Sequence, residues 1–384
     1  MVMNKSDQDY RQCALTVMDN IADPGIRFDE NGICNYYHEY KAAAAASVVE
    51  GEAGEKKIQE LVASIKQAGK GKKYDCLIGL SGGVDSTYVA WLVKQLGLRP
   101  LAVHLDNGWN SELAVKNIEN IISRLGIDLY TLVVNWEEFR DIQLAYLKAS
   151  VVDIEVVSDH AIFATMYKLA HEHKIGYIIS GTNVVTEHIM PTSWLYQKMD
   201  FVNLKDIHRQ FGKVKLKTYP TLDFKKYVYY SMVLRLNPVS ILNYVPYNKK
   251  DVKELITKEL GWRDYGGKHY ESIFTKFYQA YILPEKFKID KRKAHLSTLI
   301  CSGQLTKEQA LQELEQKLYD PKELANDKEY VLKKFGLTAD AFDAIMQTPP
   351  RAHQEFKTDA HLKQGYMNFL KKTQRIRKLI KPGK

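Results

Sequence analysis

The segment Leu80-Ser81-Gly82-Gly83-Val84-Asp85-Ser86 constrains this 384-residue chain more than any other. It follows an apolar run of buried-strand length, Cys76-Leu77-Ile78-Gly79-Leu80, and leads into a helix-patterned stretch from Asp85 to Leu96 closed by Gly97. Two adjacent glycines let the backbone turn tightly and bring bare amide N–H groups up to an anion. Ser81 and Ser86 add hydroxyl donors, and the amino end of the helix adds partial positive charge. The segment reads as a phosphate cradle. It is not a Walker A loop, because Gly-Lys-Ser/Thr is missing. Asp85 falls in the first helical turn, where a carboxylate beside phosphates requires a divalent cation between them, so Mg²⁺ is expected. A plain βα turn capped by Asp85 would use the same residues, but the complete set in this context favours the cradle.

The surrounding pattern alternates strand and helix: Pro100 to Leu105 as a strand, Ser111 to Leu125 as a helix capped by Ser111 and closed by Gly126, and Leu129 to Val134 as a strand. A helix from about Ser158 to Lys174 and a strand Tyr177-Ile178-Ile179-Ser180 continue the series. Such alternation predicts an α/β fold, a parallel sheet with helices on both faces, and a ligand beyond the carboxyl ends of the strands. Before it stand an irregular arm (1–40), with turns at Asp23-Pro24-Gly25 and Glu30-Asn31-Gly32 and no part in the core, and one helix from Ala42 to about Ala68. After about Thr221 strand signals fade into helical spacing. The expected division is an arm (1–40), an α/β domain that carries the loop (41–222) and a helical C-terminal region (223–384). The basic end, Lys371 to Lys384, has no interleaved aromatic residues and reads as a solvated helix end rather than an RNA-binding tail.

Two more strand ends offer candidates. Asp106, in His104-Leu105-Asp106-Asn107-Gly108, could contact a ribose or simply make an Asp-Asn-Gly turn. Gly181-Thr182-Asn183 closes the Tyr177–Ser180 strand, and Glu187 follows it as a candidate second metal ligand or a surface carboxylate. Asp159-His160 reads as a helix cap, with a further carboxylate as the alternative.

A hydrophobic content of 45% suits a folded, enzyme-sized body. The polar start, and the absence of any stretch near the roughly 18 apolar residues of a membrane span, lead to an expectation of a soluble, cytoplasmic protein. Four scattered cysteines fit a reducing compartment. The net charge of +9 favours anionic partners without naming one.

Ser-Gly-Gly-Val-Asp-Ser resembles the PP-loop of ATP pyrophosphatases, and Gly181-Thr182 with Glu187 resembles a metal-holding segment of NAD synthetases. Three further segments resemble the N-acetyl sugar amidotransferase family (WbpG/PseA-like): Asp23-Pro24-Gly25-Ile26 with Phe28 to Tyr36; Leu105-Asp106-Asn107-Gly108-Trp109-Asn110-Ser111; and Gly261-Trp262-Arg263-Asp264-Tyr265-Gly266-Gly267-Lys268-His269 with Glu271-Ser272. The resemblance implies an adenine nucleotide alpha hydrolase-like fold. It implies ATP with Mg²⁺, and conversion of an acetamido group on a nucleotide-activated sugar to an acetamidino group, for lipopolysaccharide O-antigen or flagellar glycan synthesis. Ser81, Gly82, Gly83 and Ser86 would hold the pyrophosphate, Asp85 and Glu187 the Mg²⁺, with Asp106, Gly181 and Thr182 beside the nucleotide. Arg263 and Lys268 are candidates for gripping substrate.

None of the cysteines lies in a glutaminase nucleophile motif and residue 2 is Val, so ammonia must come from elsewhere. The resemblance implies a HisH-like glutaminase and a HisF-like cyclase subunit. Family members carry two Cys-x-x-Cys pairs in the arm; here Cys13 stands with Thr16 and Cys34 with Tyr37, leaving two thiols where a closed Zn²⁺ site needs four ligands. Packing of Phe28, Ile33 and Tyr36 is therefore expected to hold the arm instead of zinc. A tRNA-modifying PP-loop enzyme would use the same adenylation on a base oxygen, but no cysteine is placed near the loop as a sulfur carrier, and nucleic acid is the less favoured partner.

Overall fold

The computed structural model describes residues 10–267 and 270–380. Two helices, α1 (Asn35–Ser47) and α2 (Gly51–Ala68), replace the single helix that the spacing predicts over 42–68. The break has a local cause. Gly51 adopts φ of +65°, and a Cβ on Gly54 would lie 2.4 Å from the Val49 carbonyl oxygen and 2.8 Å from that of Tyr244. The chain can close on itself there only without side chains.

The expected alternation follows: β1 (Cys76–Gly79), α3 (Val84–Gln95), β2 (Pro100–Asp106), α4 (Glu112–Leu125), β3 (Asp128–Val133), α5 (Trp136–Lys148), α6 (Val156–Glu172) and β4 (Tyr177–Ser180). Ser111 caps α4 by accepting from the Ala114 N–H at 3.2 Å, and Gly126 closes it at φ of +58°. After α7 (Val184–Glu187), α8 (Phe201–Phe211) and α9 (Phe224–Val228) comes a strand the sequence pattern hides, β5 (Asn237–Ser240). It contains Pro238, which demotes a run as a strand signal yet is tolerated at a sheet edge. The sheet thus draws on chain beyond residue 222.

All five strands are parallel, in the order β3-β2-β1-β4-β5. Alternate residues serve two layers, as the period of two requires. Cys76, Ile78, Ala102, Ile179 and Val239 join the core under α2, α3, α4 and α10 (Lys249–Leu260). Leu77, Leu101, Val103 and Ile178 pack with Met166, Tyr167 and Leu169 of α6 on the other face. Each fully buried Leu or Ile contributes about 1.5–3 kcal/mol.

The C-terminal region is helical: α11 (Ile273–Phe277), α12 (Lys291–Cys301), α13 (Lys307–Glu315), α14 (Pro321–Phe335), α15 (Ala339–Gln347) and α16 (Ala360–Ile380). Contrary to the sequence reading, the arm is part of its core. Cys13, Met18 and Cys34 are wholly buried in one cluster, against which Phe28, Ile33 and Tyr36 pack partly buried, and Val17 is buried in a second with Leu296 and Ala310. Its buried positions come from turns without periodicity, so no pattern announces them. Side-chain bonds fix it: Val17 N–H to Ser297 Oγ at 3.2 Å, Trp194 Nε1 to the Ala22 carbonyl at 3.0 Å, and Lys307 Nζ to the Cys13 carbonyl at 2.7 Å. Of the basic end, Lys371 and Lys372 lie on α16, and 381–384 fall outside the described residues. Among the described residues no helix is long and apolar enough to cross a membrane.

Candidate active site

Strand order reverses between β1 and β4, which makes the carboxyl ends of this pair the switch point, where open parallel sheets bind ligands. The chain leaves β1 as Leu80–Gly83 and enters α3 with Gly83 as its N-cap residue. Gly82 sits at φ of +84°, a conformation that side chains disfavour. The hydroxyls turn inward on the loop: Ser81 Oγ lies 3.1 Å from Ser86 Oγ and accepts from the Gly83 N–H at 3.2 Å. Ser86 Oγ donates to the Gly83 carbonyl at 3.1 Å, and Thr87 Oγ1 does so at 2.8 Å. These bonds cluster Ser81, Gly83 and Ser86 at the amino end of α3, a position that favours an anion.

From β4, Gly181 comes so close that a Cβ on it would stand 3.1 Å from the Asp85 carbonyl carbon and 3.2 Å from Asp85 Cβ. Thr182 Oγ1 lies 2.9 Å from Ser180 Oγ and 3.1 Å from Ser240 Oγ of β5, making a hydroxyl cluster that the sequence does not show. Tyr247 donates its hydroxyl to Asp85 Oδ1. Burial, then the Asp85 charge and hydrogen bond, then the Glu187 charge push the Tyr247 phenol far above its ordinary range. Asp85 and Glu187 thus act on one phenol. Among the described residues no three His, Cys, Asp or Glu side chains gather to hold a metal alone. Two hard carboxylates that leave the remaining shell to phosphate and water fit Mg²⁺, which is commonly bound in that way. Tyr247 was missed by sequence reasoning. It is one of 24 tyrosines and lies 162 residues from Asp85, with nothing local to single it out.

Ser81, Gly83, Asp85, Ser86, Gly181, Thr182 and Glu187 all line one cavity of about 1510 Å³. Gly82 is buried and not among the lining residues, and its carbonyl accepts from Trp262 and Tyr265, which do line the cavity. Asp106 is not among the lining residues; its Oδ1 accepts from the Gly108 N–H at 2.9 Å, which is the turn alternative, while neighbouring Asn107 does face the cavity. His104 braces the floor: Nδ1 lies 3.0 Å from the Leu80 carbonyl and Nε2 lies 3.0 Å from Asn110 Nδ2. Those partners assign the proton to Nδ1, and burial lowers the His104 pKa, which keeps the ring neutral. Arg263 is exposed and outside the cavity, its backbone held by Asn117; Lys268 and His269 lie outside the described residues.

Asp159 does not cap α6. It pairs with Lys198 at 3.0 Å, and Lys198 also pairs with the buried Asp153 at 2.8 Å. His160 is fully buried, with Nδ1 3.0 Å from the Lys198 carbonyl and Nε2 accepting from the Leu222 N–H at 3.1 Å. Burial lowers its pKa to about 4. Its contribution to stability is therefore complete above the unfolded value of about 6.5 and is lost as pH falls through about 4, amounting to about 3 kcal/mol. Urea unfolding at pH 7.5 and 4.5 should show that loss in the wild type and a shallower one in His160→Asn; equal pH slopes would contradict it.

In the arm, Cys13 Sγ accepts from the Cys34 N–H at 3.2 Å, and Thr16 Oγ1 lies 3.7 Å from Cys34 Sγ. The Thr16 hydroxyl thus packs against the two sulfurs. Two sulfurs with a threonine do not fit a closed zinc site.

Comparison with known proteins gives two family matches. Residues 57–216 match the NAD synthase model, and residues 271–373 match the C-terminal domain of LPS biosynthesis protein WbpG-like proteins. A tRNA(Ile)-lysidine synthase of Chlamydia pneumoniae is 38% identical over 76 residues, 19% of this chain and 23% of that protein. The chain spans about a quarter of the length of the curated relatives it matches, 23% and 27%. Among solved structures, the NH3-dependent NAD synthetase of Campylobacter jejuni is 14% identical with a TM-score of 0.30, covering 78% of this chain and 98% of that one. The NMN synthetase of Francisella tularensis is 16% identical with a TM-score of 0.32, covering 75% and 98%. The parallel sheet, the Ser81–Ser86 loop at its switch point and the NAD synthase match define a PP-loop protein. With the match at 271–373, the chain joins that PP-loop domain to a WbpG-like C-terminal domain.

Proposed function

We propose that the protein is an ATP-dependent amidotransferase that converts an acetamido group of a nucleotide-activated sugar into an acetamidino group, in surface-glycan synthesis in the cytoplasm. The observation that carries this reading is that the PP-loop opens into a cavity also lined by the WbpG-like C-terminal domain, for example by Phe274, Gln279, Lys291 and Arg292. ATP and a second, sizeable substrate would share it.

The chemistry follows from what an amide lacks: its carbonyl is a weak electrophile and its oxygen leaves poorly. The amide oxygen attacks the α-phosphorus of ATP, the bond to pyrophosphate breaks, and an O-adenylyl imidate forms. Ammonia adds to the imidate carbon, a proton is lost, and AMP leaves with the former amide oxygen. Ser81, Gly83 and Ser86 hold the departing pyrophosphate through N–H and O–H donors that are already assembled. Asp85 and Glu187 would hold Mg²⁺, which neutralises charge on the phosphates. Gly181 and Thr182 flank the triphosphate, and Asp106 stands behind Asn107 at the nucleoside end. Ammonia would come from a separate HisH-like glutaminase with a HisF-like cyclase subunit. The burial of all four cysteines supports a separate source, because no thiol is presented as a glutaminase nucleophile.

The similarity to a tRNA(Ile)-lysidine synthase favours a second reading, in which the same adenylation falls on a base oxygen of tRNA. One experiment separates the two. The protein is incubated with ATP, Mg²⁺ and ammonium against a panel of diacetamido sugar nucleotides and, separately, tRNA. AMP with a sugar product about 1 Da lighter, oxygen replaced by NH, is expected. AMP formed only with tRNA would reject the sugar reading.

A further inference from the structure

Two donors from a distant segment converge on one carbonyl of the PP-loop. Trp262 Nε1 donates to the Gly82 oxygen at 2.7 Å, and the Tyr265 hydroxyl donates to the same oxygen at 3.0 Å. We infer that Trp262 and Tyr265 are positioning residues for the phosphate cradle, fixing which way the Gly82–Gly83 peptide faces. The inference rests on the proposal that this loop holds the pyrophosphate of ATP.

The physical reason lies in the peptide plane. In a trans peptide the C=O and the next N–H point in opposite directions. Tying the Gly82 oxygen to Trp262 and Tyr265 therefore turns the Gly83 N–H the other way, onto Ser81 Oγ at 3.2 Å, among the cradle hydroxyls. Two glycines in sequence give this plane little rotational resistance of its own. Were it to flip, a carbonyl oxygen would face the phosphates in place of an N–H, exchanging attraction for repulsion. The brace is itself rigidly mounted. Trp262 is 1% exposed. Asn117 of α4 exchanges two bonds with the Arg263 backbone, at 2.8 and 3.0 Å, and Asn120 Nδ2 donates to the Gly261 carbonyl at 3.2 Å. Lys253 pairs with Asp264 at 2.6 Å. The fit around Gly82 is close as well: a Cβ there would stand 2.9 Å from the Tyr265 hydroxyl. This gives Gly261-Trp262-Arg263-Asp264-Tyr265 a function that its sequence alone does not state: it braces the loop, from a wall of the same cavity that Trp262, Asp264 and Tyr265 line.

The test compares ATP with adenosine, each titrated with Mg²⁺ present into wild type, Tyr265→Phe and Trp262→Phe by calorimetry, alongside thermal unfolding. Tyr265→Phe removes only an O–H from a half-buried ring and should fold even if Trp262→Phe does not. Loss of one neutral hydrogen bond should weaken ATP about five- to tenfold in Tyr265→Phe, with adenosine affinity and unfolding midpoint unchanged. Equal losses for both ligands, or none for either, would overturn the positioning role. Failure of the wild type itself to prefer ATP over adenosine would instead remove the reading of the loop as a phosphate cradle, and the inference with it.

Discussion

Asp85→Asn should lower AMP formation by about 10³-fold, roughly 4 kcal/mol of transition-state stabilisation, with an unfolding midpoint within about 2 °C of wild type. The substitution keeps shape, and an asparagine oxygen can still accept from the Tyr247 hydroxyl, so the contact that seats the side chain survives. What disappears is the negative charge that the proposed reaction places opposite the phosphates. If Asp85 serves to hold Mg²⁺ between itself and the pyrophosphate, that charge is the essential property. Initial rates of AMP release by chromatography, together with thermal melts, check this. A variant that retains most of its rate would refute the metal role of Asp85, and one that unfolds early would assign it to structure.

Gly181→Ala should lower kcat about 10²-fold while costing no more than about 1–2 kcal/mol of stability. The added methyl would meet Asp85 at 3.1 Å on its carbonyl carbon, 3.2 Å on Cβ and 3.3 Å on its oxygen, so the first turn of α3 must shift by a few tenths of an ångström. That small movement displaces the carboxylate and the helix end together, and in the proposed reaction both face the phosphates. Gly176, just before the same strand, is the control: a Cβ there meets nothing within 4 Å. Gly176→Ala should leave the rate unchanged. Equal rates in the two variants would show that the close approach of β4 to α3 has no part in the reaction.

The difference between what the sequence reveals and what the fold adds follows from chain separation. Ser81 to Ser86 is legible because its strand, turn and helix are contiguous, and the loop's residue types state their chemistry. Gly181, Thr182 and Glu187 are legible because they follow a strand end, where ligand contacts are expected. Tyr247, Trp262 and Tyr265 reach the same loop from 162 to 183 residues later, and only the closed fold brings them there. β5 escapes notice because four residues with a proline carry no clear alternation, and the arm because turns bury Cys13 and Met18 without a repeat. Of the two readings open for Asp106, the structure shows the turn, in which its Oδ1 accepts from the Gly108 N–H.

The bond that breaks in ATP tests the account most directly. With ATP labelled in its γ-phosphate, the protein, Mg²⁺, ammonium and a diacetamido sugar nucleotide should yield label in pyrophosphate and an equal amount of unlabelled AMP. Label appearing as orthophosphate, with ADP alongside, would mean cleavage at the wrong phosphorus and would contradict the adenylation on which the proposed function stands.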